Sequence, residues 1–178
     1  MKRTVQGYAV LAAILLLAAC STLDRSEAPA VSSKAPWVLL PFANLTETPL
    51  AGSRAEAVAE GVLRAQGVAK LRRYPAALQQ EALFEPGDRK QYEAALEWAR
   101  AEGARYALTG SVEEWRYKVG VDGEPAVGIA VSIIDVPTGE TLWSGVGAKA
   151  GWSRDSLAAV AQQLMRKLIS DGLSASKD

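Results

Sequence analysis

Ala126 to Ala148 run for 23 residues with only two charges, Asp135 and Glu140, both beside Pro137-Thr138-Gly139. That triplet suits a type I turn with glycine in the left-handed position, closing a bulged hairpin. With Val136 opposite Glu140, Ile133 faces Trp143, Val131 faces Gly145 and Ile129 faces Gly147 on one side. On the other side Ile134 meets Leu142, Ser132 meets Ser144 and Ala130 meets Val146. An antiparallel hairpin wetted on one face alternates polar with apolar residues. This one is apolar or small on both, so both faces call for cover. Helices can cover one. The other needs further helices or another copy of the chain. Self-association and a monomer whose own helices sandwich the sheet both remain open on this argument.

The remaining elements follow from periodicity. Trp37 to Leu40, between Pro36 and Pro41, has the character of a short buried strand. A polar loop spans 43–50. Ser53 and Glu56 have capping-box spacing, Ala55, Val58, Ala59, Val62 and Leu63 form a helical stripe, and Gly67 suits a stop. Residues 68–74 can form a short strand. Pro75 suits a first helical position before AALQQEALF. Asp88 and Gln91 repeat the capping spacing ahead of Tyr92, Ala95, Leu96 and Ala99, with a stop at Gly103. Residues 105–118 have the pattern of a long strand. A last helix buries Leu157, Val160, Ala161, Leu164 and Leu168 and is expected to stop at Gly172. The expected fold is α/β (α+β): a single domain over 36–174, with a mainly antiparallel sheet of three to five strands packed with three to four helices. Residues 175–178 are a tail.

The N-terminus explains the single cysteine among 178 residues. Lys2 and Arg3 precede ten consecutive apolar residues, Val10 to Ala19. Crossing a bilayer takes ~20, so residues 1–19 have the form of a signal peptide rather than a membrane span. Leu17-Ala18-Ala19-Cys20 matches the lipobox of bacterial lipoproteins, in which Cys20 becomes the acylated first residue; an ordinary signal peptide with an incidental cysteine is the alternative. Ser21, rather than Asp, follows the cysteine and points to the outer membrane. Two or three acyl chains make a stable anchor. Cleavage removes only the charges of Lys2 and Arg3, taking the net charge from zero to −2. Residues 20–35, the acylated cysteine and a small polar segment, are expected to be a flexible tether. Its fifteen residues from Ser21 reach at most ~50 Å.

Composition and missing residue types exclude several chemistries. A net charge of zero argues against a nucleic-acid partner. With no histidine there is no Ser–His–Asp triad and no histidine metal site. GVGAKAG at 145–151 lacks the spacing and context of a phosphate loop. Glu113 and Glu114 are neighbours on a strand, point to opposite faces, and so do not make a glycosidase pair. No enzyme, cofactor or metal is expected.

WVLLPFANLTETPLAGSRAEAVAEGVLRAQGV, LRRYP, ALTGSVEEWRYK and IDVPTGETLWSG together resemble the PelC family, outer-membrane lipoproteins of Pel polysaccharide export. The likeness covers most of residues 36–172. Curli-secretion and peptidoglycan-synthase-activator lipoproteins share the LPFxNxT opening and the DxxTGExLW hairpin, but the unbroken LPFANLTETPLAGSRAE block favours PelC. The resemblance implies a dodecamer-like ring at the periplasmic face of the outer membrane. It further implies an aromatic rim on lipid, an acidic interior that guides a cationic polysaccharide, and a PelB-like porin and scaffold as partner. A ring uses one heterologous contact closed by rotation.

The resemblance also ranks residues. Trp152 matches the family's membrane-facing tryptophan, though as the residue before a Ser153 cap it could instead staple onto Leu157. Arg154 can meet lipid phosphates or a neighbour's carboxylate. Asp122 and Glu124, in a Gly- and Pro-bearing loop, are the leading lumen acids. Asp155 suits a helix start or an interface; Glu113 and Glu47 are weaker interface candidates. The other function class is a monomeric lipoprotein that binds and activates an envelope enzyme or secretion complex, which would need a long tether. A protein-secretion pore would need alternating strands of about 9–11 residues, which 126–136 and 140–150 do not supply.

Overall fold

The computed structural model describes residues 21–79, 89–119 and 123–174. Strands β1 (Ser21–Arg25), β2 (Trp37–Asn44), β3 (Leu71–Arg73), β4 (Tyr106–Tyr117), β5 (Pro125–Asp135) and β6 (Thr141–Ala150) form one six-stranded sheet, ordered β1-β6-β5-β4-β2-β3. Helices α1 (Ala51–Ala65), α2 (Ala76–Gln79), α3 (Arg89–Ala101) and α4 (Leu157–Leu173) are the four among the described residues. The α+β class is as expected. The sheet is larger and more mixed than expected: β1, β6, β5 and β4 pair antiparallel, while β4–β2 and β2–β3 are parallel. The parallel pairs arise because a helix lies between β2 and β3, and parallel neighbours need such a crossover.

The sixth strand corrects the tether. Ser21 to Arg25 pair with Lys149 to Gly145 along β6. Without them β6 would present a row of unpaired backbone groups. Leu23 and Leu164 both fill the space above Gly147, and Arg25 pairs with Asp171 on α4. Ser26 continues the contact, its N–H donating to the Ser144 carbonyl at 3.0 Å. Further on, Val31 is buried and the Trp37 indole N–H donates to the Ser32 carbonyl at 2.9 Å. A single inward apolar residue in STLDR gives no periodicity to detect, which is why the segment passes for a linker.

The core lies on both sides of the sheet. On one face α1 and α4 cover Leu39, Leu108, Ile129, Val131, Ile133 and Trp143. On the other, α3 covers Val38, Leu40, Ala107 and Ile134 near the β5–β6 turn. The hairpin pairs as expected from Ile133–Trp143 to Ile129–Gly147. Beside the turn Ile134 faces Thr141 rather than Leu142, because a bulge absorbs one residue. Gly139 takes φ 77° there and donates its N–H to the Asp135 carbonyl at 2.7 Å. The remainder of the hairpin's second face stays open: Ser144, Val146 and Ala148 are exposed.

Three end signals are corrected. Helix α1 starts at Ala51 behind Leu50, which has φ 60° and gives no side-chain cap, so Ser53 and Glu56 are not a capping box. Glu56 is instead buried. Its Oε1 accepts the Phe42 N–H at 3.1 Å and its Oε2 accepts from Arg73 at 2.6 Å. Pro41 has no N–H, and the β2–β4 register slips between Leu39 and Phe42; the carboxylate takes up the donor that this irregularity leaves outside the ladder. Helix α4 is capped by Ser156, not Ser153, with Ser156 Oγ accepting the Ala159 N–H at 3.1 Å. It also runs past Gly172, which is buried where a Cβ would lie 3.0 Å from Trp143. Packing, not termination, requires glycine there.

At the turn end Asp135 is buried and pairs with Arg105 at 2.7 Å. Burial pushes its carboxyl up, but the Thr138 N–H and the Arg105 guanidinium outweigh that and hold it below the usual carboxylate range. A depressed folded value stabilises the fold above the unfolded pKa of about 3.9 and loses that stabilisation as pH falls through the folded value. Urea midpoints are therefore expected to drop below about pH 4 in the wild type, while Asp135→Asn is weaker at neutral pH and flatter in acid. Glu56→Ala leaves Arg73 and the Phe42 N–H without their partner and is expected to cost about 3 kcal/mol in urea unfolding.

Candidate functional site

One end of the sheet gathers most of the predicted site residues. Antiparallel pairing sets Ser21 opposite Lys149, Ala126 opposite Ala150 and Pro125 opposite Tyr117. The start of β1, the ends of β4 and β6 and the start of β5 therefore share this end. The loop after β2 joins them. Leu45 donates its N–H to the Val112 carbonyl at 3.0 Å, and Thr48 Oγ1 donates to the Trp115 carbonyl at 2.5 Å. Asn44 fixes that loop from within: its Oδ1 accepts the Thr46 N–H at 3.1 Å and its Nδ2 donates to the Thr48 carbonyl at 2.9 Å.

The end is rimmed with apolar side chains. Leu45, Leu50, Tyr117, Val119 and Trp152 are all exposed here, Trp152 at 71%. The alternative staple of Trp152 onto Leu157 does not form. Its backbone N–H donates to Asp155 Oδ2 at 2.8 Å, and Asp155 returns its own N–H to the Trp152 carbonyl at 2.8 Å. This tight turn holds the indole outward. Gly151 closes it, donating its N–H to the Pro125 carbonyl at 2.8 Å. Asp155 thus precedes the helix cap and shapes the turn, instead of lying in the first helical turn. Arg154 is exposed beside it. The Leu157 N–H donates to the Tyr117 hydroxyl at 3.2 Å, tying the start of α4 to β4.

The candidate acids lie at separate points. Glu124 is half-buried in the β4–β5 connection, its carbonyl accepting the Lys118 N–H at 2.7 Å. Glu47 is exposed in the loop after β2. Asp122 and Cys20 lie outside the described residues, although Cys20 is one peptide bond from Ser21. Glu113 and Glu114 correct the strand argument. The β4–β5 register slips between Val112 and Glu114, and a Cβ on Gly128 would lie 3.4 Å from both glutamate Cβ atoms. The bulge therefore turns both carboxylates to one side. Glu113 accepts from Ser111 Oγ at 2.5 Å, and Glu114 from Arg116 Nε at 2.9 Å. Sequence reasoning missed the bulge and the rim; the signals were Leu45 and Leu50 flanking a polar loop, and Tyr117 and Val119 flanking Lys118.

Among the described residues no group of acids and thiols forms a metal cage, and no helix is long and apolar enough to cross a membrane. An open groove of about 540 Å³ on the outer side of α4 is lined by Gln162, Gln163, Arg166, Lys167 and Asp171. Its one carboxylate is tied to Lys167 and Arg25.

The chain matches no protein-family model and no curated protein. It is similar to solved structures. The PelC dodecamer of Paraburkholderia phytofirmans is 41% identical over 89% of this chain and 99% of that one, with a TM-score of 0.74. A substituted PelC dodecamer from the same organism is 42% identical over 85% and 96%, with a TM-score of 0.72. A lipoprotein of Neisseria meningitidis shares the fold at 17% identity over 80% and 99%, with a TM-score of 0.55.

The geometry separates Trp152 from its neighbour. An exposed side chain contributes little to folding, so Trp152→Ala is expected to leave stability within about 0.5 kcal/mol. Asp155→Ala removes the acceptor of the turn and is expected to cost about 1 kcal/mol. Thermal melts of the two variants distinguish the roles.

Proposed function

The chain belongs to the PelC family, and from that premise we propose that it is an outer-membrane lipoprotein which assembles as a periplasmic ring and guides a cationic exopolysaccharide, Pel, to the export channel. The observation that carries this reading is the register of β1. Acylated Cys20 immediately precedes Ser21, and Ser21 sits opposite Lys149. The lipid therefore leaves the protein at the same end as Trp152, Tyr117, Val119, Leu45 and Leu50. Acyl chains and an apolar rim on one end suit a surface laid against a bilayer, with Trp152 at the headgroup boundary and Arg154 beside it for phosphates.

Ring assembly follows the two similar dodecamers. It converts weak single charges into a field. One copy of Asp122 or Glu124 brings a single negative charge, but repeated around a shared lumen these acids attract a polycation collectively. Such a path holds no segment tightly, so the polymer slides. The chain needs no catalytic group for this work, and a PelB-like porin and scaffold supplies the passage through the membrane.

A monomeric lipoprotein that activates a distant envelope enzyme requires slack between lipid and domain. With β1 beginning one residue after Cys20, the slack is gone.

In cells that secrete the polymer, Asp122→Asn with Glu124→Gln is expected to lower secretion several-fold while leaving membrane association intact. Unchanged secretion removes those acids from the path. Cys20→Ser is expected to release the protein from the membrane fraction and abolish export. Trp152→Ala is expected to weaken flotation of the protein with phospholipid vesicles.

A further inference from the structure

We propose that the exposed face of β5 and β6, centred on Val146, is the surface against which the next copy of this chain docks; this rests on the ring reading above. Val146 is 46% exposed in the middle of a sheet. Its direct neighbours are Ala130 on β5 and Asp24 on β1. Along the same face run Ser132, half-buried, and Ser144 and Ala148, both exposed. None of these residues except Asp24 carries a charge.

The opposite face of the same strands is covered by α4, and α3 reaches only the turn end of this one. Away from the turn, neither side of the hairpin between Ala126 and Ala148 carries a charge. An antiparallel sheet left half-open normally alternates; this one presents valine, alanine and serine. Small side chains leave a flat surface that a second body can approach closely. Charges gather at its margins: Asp24 at one side, Glu113, Glu114 and Arg116 at the other. A charge-free centre with a charged rim is the anatomy of an association surface.

The occupant is a second copy for two reasons. A closed ring repeats one heterologous contact, so every protomer must present such a face to a different surface of its neighbour. The alternative way for copies to meet, joining sheets edge to edge, is blocked at both edges. β1 has five residues and ends in Asp24 and Arg25; β3 has three, two of them Arg72 and Arg73. Short charged edges resist strand addition.

The test uses the full-length acylated protein in detergent, with mass read by light scattering across a concentration series. Val146→Glu is expected to raise the concentration needed for assembly about a hundredfold, as a charge desolvated without a partner should, while the melting temperature stays within a few degrees. Ala148→Glu acts on the same face and decides the matter should Val146→Glu fail to fold. Val146→Ile is expected to assemble like the wild type. A wild type that assembles together with charged variants that assemble equally well overturns the assignment of this face and leaves the ring standing. A wild type that stays monomeric at every concentration overturns both.

Discussion

The pairing of β1 with β6 is the interaction on which the rest of the arrangement depends. It closes an edge that would otherwise expose the backbone of a ten-residue strand. It also fixes direction, because an antiparallel register admits only one way for residue 21 to sit beside residue 149. Everything said about orientation follows from that. The nearness of residue 21 to the end that carries Trp152, and with it the proposed coincidence of lipid and apolar rim, derives from five backbone pairings.

A second constraint acts within the fold. The opening strand carries a proline in an inner position of a sheet, where a missing donor and a slipped register would ordinarily be costly. Glu56 resolves it by reaching from α1 into the irregularity, and Arg73 from β3 balances its charge. One buried carboxylate thus ties helix, bulge and edge strand together. The burial of its charge is tolerable because the Phe42 N–H and the Arg73 guanidinium both meet it in charge-assisted hydrogen bonds.

Much of the architecture was legible because it is written in local periodicity. The hairpin, the long strand before it and the stripe of α4 are strong patterns, and the PTG turn sets the register up to the bulge. What was not legible depends on distant partners. STLDR becomes a strand only because β6 lacks a neighbour. Glu56 looks like a cap because Ser53 stands three residues before it, yet the donor it satisfies belongs to Phe42. Gly172 looks like a stop, yet Trp143 occupies the space a side chain would need. The site divides in the same way. The resemblance pointed to Trp152, and its exposure comes with a turn made by Asp155. The side-by-side placement of Glu113 and Glu114 follows from a bulge that strand alternation hides.

The strand that follows Cys20 has a thermodynamic consequence. A domain on a loose leash tumbles above its membrane and samples every tilt. With Cys20 acylated as proposed, a domain whose first strand begins at Ser21 is confined to a plane with its tilt restricted. Neighbours then meet with fewer orientations left to search, so the rotational entropy that association normally removes is largely gone before they touch. Crowding on a surface adds to this by raising their effective concentration. Contacts too weak to join two freely diffusing molecules suffice to close a circle of anchored ones.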